Sequence, residues 1–194
     1  MGAAWADARA PARGAQRGAR PPGPCQRDAG PPVSRPDAVE PTRSPPMPQP
    51  RPRREAYARF TPMTTRLRDN DQYLHLNNAV YYEYFDSAVN LWLIERCGLE
   101  LPNGPVVGIV ADTQCTFLAE VKWPSAVEIG MRVDRIGRSS LTYGLAMFTA
   151  GEAEANAVCR YVHVYCETPE RRPTPLPERL RAEAEALVVE APAA

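Results

Sequence analysis

The chain has 194 residues, enough for one folded domain plus a tail, and no run approaches the roughly 18 to 20 apolar residues that cross a bilayer as a helix. Its zero net charge hides an uneven split, with 10 arginines against 4 acids in residues 1–54 and 13 basic against 19 acidic side chains in residues 55–194. Five cysteines with no C-x-x-C pair, and no signal-peptide apolar run, argue against a disulfide framework or a zinc cluster and point to a reducing cytoplasm.

Residues 1–54 carry 13 of the 22 prolines and almost no branched apolar residues, so a disordered Pro/Arg/Ala-rich arm is expected. Its arginines would suit nucleic acid or an acidic surface, and its acid-poor start would suit an organelle transit peptide. The prolines, however, block the amphipathic helix that such a peptide needs. The reading adopted is a solvated tail, or an upstream over-extension of the reading frame with Met47 as the real start, and no nucleic-acid partner.

From Tyr57 the pattern changes. Tyr57 to Asp69 reads as a first strand interrupted by Pro62, and Asn78 to Arg96 as a helix ending at Gly98, which suits the position just beyond a last turn. Tyr81, Tyr84, Phe85, Ala88, Leu91 and Trp92 recur at helical spacing and predict the buried stripe, with Glu83, Asp86, Ser87 and Asn90 mostly on the other side. After a Pro102 to Pro105 loop come four β-like segments, Val106 to Val121, Ala126 to Ile136, Ser139 to Thr149 and Ala155 to Glu167. In the second of these, Val127, Ile129, Met131 and Val133 alternate with Glu128, Gly130, Arg132 and Asp134, the pattern of a sheet with one buried face. Residues 168–177 read as Pro-rich and exposed, and Glu178 to Leu187 as a short terminal helix. One strand, one long helix and four strands predict an α+β class, an antiparallel sheet wrapped around the helix.

Ionisable residues crowd the junction before that helix, in Arg66-Leu-Arg-Asp-Asn-Asp-Gln-Tyr-Leu-His-Leu-Asn-Asn-Ala-Val-Tyr-Tyr-Glu-Tyr-Phe85. A carboxylate beside the free N–H groups of a helix N-terminus suits acyl transfer, because those groups stabilise an oxyanion. The segment resembles the signature R-x-x-D-x-D-x-x-G-H-x-N-N-x-x-Y-x-x-Y-F of the 4-hydroxybenzoyl-CoA thioesterase-like hotdog family, on Arg66, Asp69, Asp71, His75, Asn77, Asn78, Tyr81, Tyr84 and Phe85. Arg135 to Ser140 and His163-Val164-Tyr165 extend the resemblance over most of residues 57–180.

The resemblance implies a hotdog domain over residues 55–180 with a tail at 181–194, and an acyl-CoA thioesterase that releases a fatty or aromatic acid and CoA. It further implies Asp71 as the catalytic carboxylate, attacking the thioester or activating water, with Asp69 structural. Asn78 would offer its backbone N–H to the thioester oxygen, Asn77 would cap the helix, and His75 would polarise the carbonyl or shuttle a proton. Tyr81 would line the acyl pocket, and Arg138, Ser139 and Arg135 would lie near the CoA phosphates or pantetheine. No metal and no cofactor beyond the CoA of the substrate is expected, and the assembly would be a homodimer or homotetramer with acyl-CoA at the subunit interface. Against these stand plainer readings: a helix-capping Asp71, a backbone-bonded His75, a core His163, a core tyrosine cluster and a surface Arg138. Leu74 stands where the family has glycine, and opens the alternative of a non-catalytic protein that binds acyl-CoA or acyl-carrier protein. On this reading Leu74→Gly raises activity. A dehydratase fits the segment less well.

Overall fold

The structure is a computed structural model that describes residues 50–189, so the expectations for residues 1–49, the Met47 start among them, lie outside the described residues. Six strands, β1 (Arg59–Thr64), β2 (Val106–Phe117), β3 (Ala126–Ile136), β4 (Ser140–Thr149), β5 (Ala157–Glu167) and β6 (Arg172–Pro173), form one sheet with two helices, α1 (Asn78–Glu95) and α2 (Glu178–Glu185). The strand order is β1-β3-β4-β5-β2, every pairing is antiparallel, and β6 adds to β5. This is the hotdog arrangement expected above.

Helix α1 starts where Asn77 accepts the Ala79 N–H on its side-chain oxygen at 2.9 Å, which satisfies one of the donors a helix start leaves open. It ends before Gly98, whose φ of +69° suits a residue without Cβ. Its buried face is Tyr81, Tyr84, Phe85, Ala88, Val89, Trp92 and Leu93. Leu91, expected on that stripe, is 39% exposed, because the buried pairs recur every four residues and leave position 91 on the flank. Against α1 the sheet presents Val127, Ile129, Met131 and Val133 of β3, all at most 2% exposed, with Leu141, Tyr143 and Leu145 of β4. Each large side chain so buried contributes about 1.5–3 kcal/mol, and together they fix the helix on the sheet.

Three boundaries differ from the sequence reading. Pro62 lies inside β1, opposite Glu128, and does not interrupt it, because β1 pairs only with β3 and an edge strand tolerates a residue without N–H. The strand then stops at Thr64, and Leu67–Asp69 forms a 3-10 turn. The segment 168–177, expected to be exposed, contributes β6, a buried Leu176, and a bond from the Leu176 N–H to the Arg138 carbonyl at 2.9 Å.

The packed region also extends past both ends of 55–180. Leu180, Ala184 and Leu187 join the main core beyond 180. Before 55, Arg51 donates to the Ala155 carbonyl at 2.7 Å and the Arg54 guanidinium lies 4.2 Å from the centre of the Phe60 ring. With Tyr57, Ala146, Phe148 and Ala155, these residues cover part of the sheet face opposite α1.

Candidate active site

The loop between β1 and α1 holds two aspartates with opposite environments. Asp69 is 2% exposed and its carboxylate accepts from the Arg66 N–H at 2.7 Å, the Arg66 guanidinium at 3.0 Å and the Tyr84 hydroxyl at 2.5 Å. Burial pushes this carboxyl up, but the hydrogen bonds from Tyr84 and Arg66 outweigh it and hold the group below the usual carboxylate range. Its carboxylate is spent on closing its own turn through Arg66 and on tying the loop to α1 through Tyr84. Asp71 sits two residues later and half-buried, with Oδ1 accepting the N–H groups of Tyr73 (2.7 Å) and His75 (3.2 Å). Its Oδ2 makes no hydrogen bond among the described residues, so one carboxylate oxygen is fixed and the other is available.

The turn that fixes Asp71 closes through Leu74 N–H to the Asp71 carbonyl (3.1 Å) and Asp71 N–H to the His75 carbonyl (2.8 Å). It requires Leu74 at φ +63°, the left-handed region that glycine adopts freely and that costs another residue about 1–2 kcal/mol. The glycine position of the resemblance is thus explained by backbone geometry. The leucine keeps that geometry with its side chain 67% exposed.

A cavity of about 300 Å³ is lined by Asp71, His75, Asn78 and Tyr81 together with Leu76, Phe117, Leu118, Ala119 and Glu120. The structure therefore gathers four of the seven expected site residues. Asn78 is the first residue of α1, and its N–H, which no earlier turn can satisfy, has no partner among the described residues. Tyr81 is 3% exposed and packs edge-on against Phe117 with ring centres 5.0 Å apart; burial pushes its hydroxyl up to about 12. One wall is thus aromatic, the other carries a carboxylate, an imidazole and a helix N-terminus. Such a set can hold an acyl group, stabilise an oxyanion and deliver or accept a proton.

Sequence reasoning missed the opposite wall, Phe117 to Glu120. Glu120 Oε2 lies 3.2 Å from His75 Nε2 and 3.1 Å from Lys122 Nζ. Nothing local marks this acid, which reaches the site only because the Leu76 N–H donates to the Val121 carbonyl at 2.7 Å and clamps the two loops together.

Arg135, Arg138 and Ser139 do not line this cavity. Arg138 and Ser139 lie at the β3–β4 turn and Arg135 in β3 just before it, whereas the cavity loop is tied to the start of β3 by Thr65 Oγ1 donating to the Ser125 carbonyl at 2.6 Å. Most of the length of β3 separates the two, roughly 30 Å at the rise of a strand. His163 is 1% exposed among Tyr143, Tyr161 and Tyr165, neither ring nitrogen has a partner among the described residues, and burial pushes its pKa down to about 4, which makes it a core residue rather than a ligand. Among the described residues no group of three or more His, Cys, Asp or Glu side chains is placed to hold a metal ion, and no helix is long and apolar enough to cross a membrane.

The sequence pattern of the thioesterase-like superfamily matches residues 65–184, which takes in the cavity loop, α1 and the sheet from β2 onward. The chain belongs to this superfamily. Among solved structures, the PA5185 protein of Pseudomonas aeruginosa strain PAO1 is 47% identical, with a TM-score of 0.72 over 73% of this chain and 99% of that one. A thioesterase of Thermus thermophilus, solved with coenzyme A and Zn, is 30% identical, with a TM-score of 0.55 over 64% of this chain and 95% of that one. The YsmA protein of Bacillus subtilis strain 168 is 25% identical over 87 residues, 45% of this chain and 58% of that protein. Superfamily membership accounts for the thioesterase-like fold.

Proposed function

We propose that the protein is an acyl-CoA thioesterase in which Asp71 Oδ2 attacks the thioester carbonyl or takes a proton from the attacking water. The observation that carries this reading is the pairing, in one cavity, of a carboxylate with a single pinned oxygen and the unpartnered Asn78 N–H at the positive end of α1. As the carbonyl oxygen gains charge, that N–H is positioned to stabilise it. The C–S bond then breaks and the electron pair leaves on the CoA sulfur. Tyr81 and Phe117 provide an apolar wall for the acyl group, and the coenzyme A bound by the Thermus thermophilus thioesterase supports a CoA ester as substrate.

The reading includes a homodimer. β2 has 12 residues, pairs on one side with β5 only, and leaves Val110 and Phe117 more than 40% exposed, a long apolar edge of the kind that pairs with another strand. Antiparallel pairing of two β2 strands would set the β3–β4 turn end of one protomer beside the cavity end of the other, which would bring the partner's copies of Arg135, Arg138 and Ser139 towards the CoA phosphates. The non-catalytic alternative rested on Leu74. That side chain is exposed, is not among the residues lining the cavity, and keeps the glycine-like turn, which favours turnover.

The test is thiol release from short, long and aromatic acyl-CoAs by wild type and Asp71→Asn. Turnover that collapses in the variant supports the thioesterase, and saturable acyl-CoA binding without turnover in wild type would establish the binding protein instead. Ala111→Lys, at the exposed centre of β2, tests the dimer: light scattering should show monomers, with turnover lost in a folded protein.

A further inference from the structure

We propose that Glu120 is a positioning residue for His75, an inference that rests on the thioesterase reading and deepens it. The carboxylate Oε2 of Glu120 lies 3.2 Å from His75 Nε2, and both residues line the cavity that holds Asp71 and Asn78. Backbone geometry makes the juxtaposition. The Leu76 N–H donates to the Val121 carbonyl at 2.7 Å, which brings the preceding residue of each segment, His75 and Glu120, abreast. Two further ties hold the same loops in register, the Trp123 N–H to Asn70 Oδ1 at 3.3 Å and Thr65 Oγ1 to the Ser125 carbonyl at 2.6 Å. Lys122 Nζ lies 3.1 Å from the same Oε2. It is the single lysine of the chain.

A neutral imidazole carries its proton on one nitrogen, and the charges facing the ring bias which one. A carboxylate oxygen 3.2 Å from Nε2 attracts the proton to that nitrogen and leaves Nδ1 an acceptor. The base of the same residue is fixed as well, because the His75 backbone N–H donates to Asp71 Oδ1. An attacking water then has two acceptors arranged by one loop. Asp71 Oδ2 takes one of its protons as the water oxygen bonds the acyl carbon, while Nδ1 holds the other hydrogen and orients the lone pair. The C–S bond breaks, the electron pair leaves on sulfur, and the proton on Asp71 neutralises the thiolate. Glu120 touches none of the reacting atoms and acts through the ring it orients.

The chain has two histidines, so ¹⁵N-histidine NMR of the full-length protein resolves two ring systems, and His163→Leu assigns them. His75 should hold a fixed Nε2–H tautomer in wild type, relax to an average of both tautomers in Glu120→Ala, and stay fixed in Glu120→Gln, which keeps an acceptor. Turnover should fall about tenfold in kcat with KM unchanged in Glu120→Ala, and Glu120→Gln should recover most of it. An unchanged tautomer in Glu120→Ala, or a Gln variant as impaired as the Ala variant, would overturn the proposal. Were wild type to hydrolyse no thioester, the function would fall while the tautomer alone decided the Glu120 pairing.

Discussion

The two ends of the sheet are built on different terms. At the end where α1 begins, polar groups are half-buried and under-partnered: one free oxygen on Asp71, an open N–H on Asn78, a leucine held at φ +63°, and a partly exposed His75–Glu120 pair. At the end where α1 finishes, Trp92, Tyr143, Tyr165 and His163 are each at most 1% exposed, and the two tyrosine hydroxyls satisfy each other at 2.6 Å. The first end leaves polar groups open at a small cost in strain, and the second supplies the packing that tolerates it. Chemistry and stability should therefore respond to different substitutions.

The sharpest separation is expected from Asp71→Asn. Hydrolysis should drop by about 10²–10⁴-fold, the usual range for loss of a general base, with the thermal midpoint within a degree or two of wild type, as calorimetry would check. A large fall in stability would make Asp71 a structural cap like Asp69 and erase the contrast between the ends.

His163 provides the converse test. Its pKa in the fold is pushed down to about 4 by burial, below the ordinary value of 6.5, so the unfolded chain binds the proton first as pH falls. Stability is then fully present above about pH 6.5 and is lost as pH falls to about 4, by on the order of 3 kcal/mol, below which the loss levels off. Asp69, whose carboxyl is held below its ordinary 3.8, adds its own loss only at still lower pH. Denaturant titrations between pH 7 and 4 should show this slope in wild type and a flatter one in His163→Leu, with turnover at neutral pH little changed.

A smaller effect links the ends. Arg138→Ala should raise KM for acyl-CoA about tenfold with kcat unchanged, the signature of lost ground-state binding, and should leave the KM for a short pantetheine thioester unaltered. Equal effects on both substrates would remove the partner's turn from the CoA site. The smallest effect belongs to Leu74→Gly. Relief of the left-handed penalty is offset by the greater freedom of glycine in the unfolded chain, so stability should rise by less than about 1 kcal/mol. Hydrolysis should change by less than twofold, in place of the rise expected from residue type alone, because the leucine does not line the cavity.

Much of this is legible in the sequence. The period-2 run Val127 to Val133 and the i, i+4 stripe of α1 report burial directly, because side-chain direction follows backbone geometry with fixed periods. Asn78 could be placed at a helix start from the local pattern, and the resemblance added Asn77 as its cap. Pro62 and Leu91 misled for the same reason: whether a strand is an edge and which flank of a helix is covered depend on neighbours that local sequence does not name.

The site divides along the same line. The sequence by itself determined the fold class, the helix with its cap, and the segment Asp71 to Tyr81 that forms one wall of the cavity, since these depend on residues within a few turns of one another. Only the tertiary structure decided that Asp69 spends its carboxylate on Arg66 and Tyr84 while Asp71 keeps an oxygen free, and that Glu120 faces His75. It also put the Arg138 turn at the far end of the sheet. Asp71 is held by the N–H groups of its own turn, but the burial of Asp69 against Tyr84, the Glu120–His75 contact and the place of the turn rest on segments further apart in sequence, and the physical reason is that strand pairing and loop clamping, rather than local propensity, set which distant polar residues meet.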